Sequence, residues 1–366
     1  MGQQKNSLLN KYEYDNDEVI LKSRPRVLFL ELTRNCNLHC TMCRPYNWYK
    51  NEWFLQENVL DCIRQELFPY IEMVDLRGFG ESTLDSRLVS IADELHHRNV
   101  KTMIYSNMCS QDEKYWEELV HTGINVAVSI ETADPIKYAK IRRGGNFELM
   151  KTNLISSIKA SDSNNTPFLT VVLSDDNIDD IYGLVEFAAE CGINKIQLNP
   201  ISMKNPVNPD GISHYGFHHK TKEYVKKEFY KIIELSNKNN VKVEVAANLF
   251  NENNIMKDKC IHPWSYVFIR YDGSIGFCDH LARQDASLKG NINDEGFMAI
   301  WNNSEYQELR KAHITKGYEN LERQRIECRW CDRNRYGNCE YIIDNKFVPK
   351  ELHEYYQLAF ERNSSI

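Results

Sequence analysis

The chain has no hydrophobic run approaching the roughly 18 residues that a membrane-spanning helix needs; its longest, in RVLFLEL and INVAVSI, are of strand length. The opening MGQQKNSLLNKYEYDNDEVI also lacks the apolar stretch of a secretion signal. Both absences lead us to expect a cytoplasmic protein with no membrane partner. Positive charge is in short supply: 45 Lys and Arg face 52 Asp and Glu, a formal charge of -7, which removes the overall electrostatic case for nucleic acid or anionic lipid. Low-complexity tracts are missing as well. With 42% hydrophobic and 27% charged residues, the composition is that of a folded globular chain rather than a disordered or collagen-like one. A length of 366 residues suits about two domains.

Cysteine, in contrast, is plentiful, with eleven in all. In a long chain without a signal peptide, metal or redox chemistry explains them better than a disulfide scaffold. Cys36, Cys40 and Cys43 form one tight group, and Cys260, Cys278, Cys328, Cys331 and Cys339 gather in the last third. Cys62, Cys109 and Cys191 stand alone in or beside expected helices and read as small buried hydrophobes. Two groups imply two metal sites on two domains.

The pattern along the chain begins with a polar leader over residues 1–25. Strands starting near Val27, Met73, Val100, Ile124, Phe168 and Lys195 then alternate with amphipathic helices. Six such repeats predict right-handed βαβ units and a parallel sheet. Because eight are needed to close a full barrel, the expected class is α/β, a partial (β/α)6 TIM-like barrel over residues 26–250. Its active site belongs at the carboxyl ends of the strands. The stretch SMKNPVNPDGISHYGFHHKTK, with His214, His218 and His219, reads as a loop, and a helix and the strand VKVEVAAN follow it. A boundary between Asn248 and Asp258 separates off a small, turn-rich module over residues 251–345, in which DGS between FIRY and IGFC reads as a hairpin. Residues 346–366 form a tail.

Cys36, Cys40 and Cys43 fall directly after the first strand, at the catalytic end of such a barrel. Three thiolates so close can hold a 4Fe-4S cluster with one iron left open, or a zinc ion completed by a more distant ligand such as His39. The second reading would make the chain a non-catalytic zinc-binding protein.

The loop ELTRNCNLHCTMCRP resembles the CxxxCxxC signature of the radical S-adenosylmethionine (SAM) enzymes. The resemblance implies that the open iron chelates SAM, and that one-electron reduction yields methionine and a 5′-deoxyadenosyl radical. It also implies roles for residues after successive strands, and it extends over residues 25–345. Met42 would sit beside the adenine. RGFGES is similar to a glycine-glycine-glutamate turn, in which Gly80 and Glu81 would hold the methionine amino group, although Phe79 and Ser82 depart from that pattern. Ser106 and Asn107, and likewise Ser129 and Glu131, would bind ribose hydroxyls; Arg142 would pair with the SAM carboxylate.

The segments CIHPWSYVFIRYDGSIGFC, GNINDEGFMAIWNN and CRWC resemble that family's auxiliary-cluster extension, SPASM in its full form and twitch in its shorter one. The full form has seven cysteines; five are present here. The resemblance therefore implies one auxiliary 4Fe-4S cluster on Cys260, Cys278, Cys328 and Cys331, and leaves Cys339 as a packed thiol, an alternative ligand or a catalytic hydrogen-atom donor. The expected reaction removes a carbon-bound hydrogen from a small polar substrate such as a sugar or aminocyclitol, with oxidation or epimerisation as the outcome. A ribosomally made peptide is the alternative substrate. Flavodoxin or ferredoxin is the expected external electron donor.

Anaerobic reconstitution is predicted to load about eight irons per chain, falling to about four when Cys36, Cys40 and Cys43 are all replaced by alanine. Iron and acid-labile sulfide analysis checks this, and zinc in place of iron would refute it.

Overall fold

A computed structural model describes residues 2–43, 52–201, 220–245, 259–278, 287–324, 326 and 328. The first element is a helix, α1 (Gln3–Asp15), and β1 (Val27–Leu30) follows. Helix α2 (Glu57–Glu66) leads to β2 (Met73–Asp75), and α3 (Leu88–His97) to β3 (Lys101–Ser106). Then come α4 (Glu113–His121), β4 (Asn125–Ser129), the helix pair α5 (Pro135–Ile141) and α6 (Phe147–Ala160), β5 (Phe168–Leu173), α7 (Ile181–Cys191), β6 (Lys195–Pro200), α8 (Lys222–Lys238) and β7 (Lys242–Val245). The C-terminal third contributes α9 (His262–Ser265), β8 (Tyr266–Ile269), β9 (Ser274–Gly276), β10 (Leu288–Asn291), α10 (Ile292–Glu295), α11 (Phe297–Trp301), α12 (Ser304–Thr315) and α13 (Glu319–Arg323).

All ten strands join one sheet in the order β10-β9-β8-β1-β2-β3-β4-β5-β6-β7. Neighbours from β1 to β7 are parallel, so the six strand-helix units form the expected partial barrel with β7 added at its far edge. Side chains alternate across it, as a strand's period of two requires. Leu28, Leu30, Val74, Ile104, Val126, Leu169 and Ile196 pack outward with apolar helix residues such as Ile63, Ile91, Leu119, Leu154 and Leu184. Val27, Phe29, Met73, Met103, Ala127 and Phe168 form a separate inner cluster with Tyr266 and Phe268. The helices start on side-chain caps: Asp112, Asp134, Asn146 and Thr221 accept backbone N–H groups of α4, α5, α6 and α8.

The expected boundary near Asn248 lies outside the described residues, and β8 beyond it does not start a new sheet. It pairs parallel to β1, in register from Val27 with Tyr266 to Leu30 with Ile269. The predicted DGS hairpin then turns the chain back as β9 and β10, antiparallel. Gly273 holds a positive φ of 83° in that turn and would collide with the side chain of Asn291 if it carried a Cβ.

Part of the polar leader is a helix that the sequence pattern did not announce. Residues 3–15 are helical, and their buried stripe is Asn6, Asn10 and Glu13. A stripe made of polar residues carries no apolar periodicity, which is why the pattern hid it. Asn6 donates to the carbonyls of Arg24 and Tyr70, and Asn10 to the Trp264 carbonyl at 2.6 Å and Ser23 Oγ at 2.9 Å. Ser265 Oγ donates back to Asn10 Oδ1. The Glu13 carboxylate accepts from the backbone N–H groups of Lys22 and Ser23. On the other side of α9, buried Arg310 donates to the carbonyls of Pro263, Val19 and Trp301 while packing on the rings of Trp301 and Tyr306. Helix α1 and the segment after it are thus sewn to α9 and α12 through backbone carbonyls.

Among the described residues no helix is long and apolar enough to cross a membrane. Replacing Asn10 with leucine would strand the Trp264 carbonyl and the Ser265 hydroxyl, each unsatisfied group costing about 1–3 kcal/mol. Urea denaturation should show a lower midpoint; an unchanged midpoint would mean that α1 does not hold the segment around α9 in place.

Candidate active site

The loop that follows β1 is fastened on both flanks. On one side Leu55 N donates to Leu32 O at 2.7 Å, while Thr33 Oγ1 and Arg34 N donate to the Trp53 carbonyl at 2.7 and 3.0 Å. On the other, His39 N and Thr41 N donate to the carbonyls of Arg143 and Ile141, both at 2.9 Å, at the end of α5. Between these anchors lie the three cysteines, with Cys36 and Cys40 half-buried and Cys43 exposed. Met42 is half-buried in the same turn, closed by Cys43 N donating to Cys40 O at 3.1 Å.

Burial, then the nearby Glu81 carboxylate, pushes the Cys36 thiol up to about 12. Burial likewise raises Cys40 to about 11, although the Arg142 charge pulls it back. Left to themselves, these thiols keep their protons. Soft donors that ionise only when a cation offsets the charge suit iron–sulfur ligation, with protons released on loading. Among the described residues no group of three His, Cys, Asp or Glu side chains could hold a metal ion.

The turn after β2 lies directly on this loop. A Cβ on Gly80 would overlap the carbonyl oxygens of Thr33 and Asn35, so no other residue fits. Glu81 N donates to Asn35 O at 2.7 Å. The Glu81 side chain is buried, which raises its pKa. Its Oε1 accepts from Ser106 Oγ and Thr83 Oγ1, both at 2.8 Å, and its Oε2 from Asn107 N at 2.9 Å. Asn107 Nδ2 in turn donates to Asn37 Oδ1 at 3.0 Å, and Asn37 Nδ2 donates to Cys109 O at 3.1 Å. The expected Gly80, Glu81, Ser106 and Asn107 therefore form one hydrogen-bonded unit with the cysteine loop. Glu81 Oε2 still has a lone pair for a ligand's donor.

Glu131, expected to face ribose, and Arg142, expected to face the SAM carboxylate, are paired with each other. Arg142 Nε and Nη2 donate to the two Glu131 oxygens at 2.5 and 2.7 Å, with both side chains almost fully buried. The remaining edge, Nη1, is 3.9 Å from Cys40 Sγ. That fixed positive charge favours a thiolate at Cys40.

Above the inner apolar cluster, the carboxyl ends of the strands present a polar tier. The Arg77 guanidinium lies over the rings of Phe29 and Tyr105, 4.6 and 3.9 Å from their centroids, and pairs with Asp75 at 2.9 Å. Tyr105 Oη donates to Gln197 Oε1 at 3.5 Å, and Asn199 Nδ2 to Thr170 Oγ1 at 2.8 Å. Half-buried Ser129 stands in register with Thr170. Sequence reasoning missed this tier, along with Asn35 and Asn37. The signal was present in VDLRG, where charged residues at alternate positions of a buried strand mark a polar interior, and in the asparagines flanking Cys36.

In the C-terminal third, Cys278 and Cys328 are buried and Cys260 is half-buried. Cys331 and Cys339 lie outside the described residues, as do His214, His218 and His219. Cys62, Cys109 and Cys191, expected to be buried, are half-buried and pack against the edge of the core.

The model of the radical SAM superfamily matches residues 30–188, and that of the SPASM iron–sulfur cluster-binding domain matches residues 260–332. A probable GTP 3′,8-cyclase of Methanococcus maripaludis is 27% identical over 133 residues, which is 36% of this chain and only 44% of the cyclase. A tungsten-containing aldehyde ferredoxin oxidoreductase cofactor-modifying protein of Pyrococcus furiosus is 22% identical over 318 residues, 80% of this chain and 85% of that protein. Among solved structures, Streptococcus suis SuiB bound to the precursor peptide SuiA matches with a TM-score of 0.59 and 16% identity, covering 84% of this chain and 71% of SuiB. Native anSMEcpe with bound AdoMet matches with a TM-score of 0.60 and 15% identity, covering 92% and 100%. These two likenesses are of fold.

Replacing Arg142 with leucine leaves the Glu131 carboxylate buried and unpaired, an expected loss of about 3–5 kcal/mol. The double variant Arg142→Leu/Glu131→Leu should recover most of it. Denaturant unfolding of the single and double variants checks this; equal losses would show that packing, rather than charge pairing, governs the site.

Proposed function

We propose, on the premise that this chain belongs to the radical SAM superfamily and carries its C-terminal SPASM iron–sulfur module, that it removes a hydrogen atom from a carbon of a small polar substrate. The enzyme uses SAM, a SAM-binding 4Fe-4S cluster and an auxiliary cluster. When bound, SAM and its cluster supply the 5′-deoxyadenosyl radical. Family membership displaces the zinc-protein reading.

One observation carries the assignment of the site: the Gly80–Glu81 turn sits on the cysteine loop with no space between them. Cys36, Cys40 and Cys43 would hold the SAM cluster. The open lone pair of Glu81 Oε2 would accept from the methionine ammonium, and Ser106 and Asn107 would hold that carboxylate in place rather than touch ribose themselves. Arg142 would act chiefly on Cys40, with Glu131 fixing its orientation. Cys260, Cys278, Cys328 and Cys331 would hold the auxiliary cluster, and Cys339 would be the reserve thiol that can return a hydrogen atom.

The polar tier of Arg77, Tyr105, Thr170, Gln197 and Asn199 supports a substrate rich in hydrogen-bonding groups. A tier of neutral donors and acceptors with one paired cation suits hydroxyls and amines, such as those of a sugar or aminocyclitol. Oxidation or epimerisation, in the setting of natural product biosynthesis, is the reaction this favours. A flavodoxin or ferredoxin would supply the electron.

Substrate-independent formation of 5′-deoxyadenosine should vanish in the Cys36/Cys40/Cys43 triple alanine variant and persist in Thr170→Val and Asn199→Leu, which should lose only coupled turnover. Candidate substrates carrying deuterium on carbon identify the target by transfer of label into 5′-deoxyadenosine. Label from a sugar or aminocyclitol supports the reading, label from a peptide moves the chain to the alternative, and none from either class rejects both.

A further inference from the structure

Cys260 Sγ lies 3.3 Å from Nδ1 of His262. His262 is buried, and its ring packs against Tyr266 of β8 with centroids 4.6 Å apart. The imidazole is therefore a fixed part of the module rather than a mobile surface group. A second imidazole, His313 of α12, is 1% exposed, and neither of its ring nitrogens has a hydrogen-bond partner. Burial first, and His262 second, push its pKa down to about 3, so His313 stays neutral and places no cation beside its neighbour. A buried imidazole against a thiol, with a second buried imidazole near the first, is an expensive choice for a module otherwise packed with Trp264, Trp301, Phe297 and Tyr306. Packing alone would be better served by apolar side chains.

We infer that His262 is a positioning residue for the auxiliary cluster, donating its Nδ1–H to the ligating sulfur of Cys260 and thereby raising that cluster's reduction potential. The inference rests on the reading that Cys260 is a ligand. A ligating sulfur carries no proton, so across this contact the ring has to be the donor. That fixes the tautomer, with the proton on Nδ1. A donated N–H draws electron density from the sulfur and stabilises the reduced, more negative cluster more than the oxidised one.

The test is a redox titration of the fully loaded enzyme, followed by electron paramagnetic resonance under anaerobic conditions. His262→Phe keeps the ring packing and removes the donor. It should retain about eight irons and leave the SAM-cluster midpoint in place. Its auxiliary midpoint should move negative by about tenfold in the one-electron equilibrium, ~59 mV. His262→Asn, whose Nδ2 can occupy the place of Nδ1, should restore the midpoint. An auxiliary midpoint that does not move in His262→Phe, or one that moves equally in both variants, overturns the inference. Should His262→Phe lose the cluster, its retention in His262→Asn supports donation, whereas loss from both overturns it. Cys260→Ala tests the underlying reading separately: a variant that still loads about eight irons shows that Cys260 is not a ligand.

Discussion

The site depends on a contact with no room in it. The turn after β2 approaches the cysteine loop so closely that Gly80 meets two carbonyl oxygens of that loop, and the N–H of Glu81 binds one of them. Everything else at the catalytic end follows from that approach. It puts a buried carboxylate beside Cys36, and the same carboxylate draws in the ends of β2 and β3 through Thr83, Ser106 and Asn107. Asn37 closes the circuit from the loop back to β3. Backbone-to-backbone packing of this kind fixes positions to within a few tenths of an ångström, which side chains alone rarely achieve.

Electrostatics refine what packing has fixed. Burial disfavours the thiolates of Cys36 and Cys40, Glu81 adds to this at Cys36, and the Arg142 charge leans the other way at Cys40. Glu131 holds that guanidinium bidentately, so the cation cannot swing out into the barrel. The sulfurs of Cys36 and Cys40 are therefore unequal before any iron arrives. Farther along the barrel mouth, Arg77 is held between two rings and a carboxylate, which makes the polar tier a shaped surface rather than a set of loose side chains.

Much of the architecture was legible because it rests on short apolar strands separated by capped helices, a pattern whose period is written in the residues. Val27, Phe168 and Lys195 each begin a strand where the alternation places one. What escaped was polar. Helix α1 buries Asn6, Asn10 and Glu13 instead of leucines, and its reason for being helical lies in carbonyls far along the chain. The pairing of β8 with β1 was equally hidden, since no local signal says which edge a distant strand will join. At the site, most of the residues that touch one another had been singled out, but not which of them pair. Glu131 and Arg142 bind each other, a relation that depends on the geometry of α5 rather than on any motif.

The seating of β8 beside β1 bears on how the chain comes to be folded. Asn10 and Trp264, which bond directly, are 254 positions apart. During synthesis β1 emerges early, and its flank opposite β2 stays bare until residues 266–269 leave the ribosome. A bare parallel edge of Val27 to Leu30 is an adhesive surface in the meantime. Closure of such a long loop is also slow, because its entropy must be overcome before the pairing contributes anything. Production of the protein should therefore be limited less by its native stability than by the interval in which its first strand waits for its last partner, and slower, cooler expression would favour the soluble form.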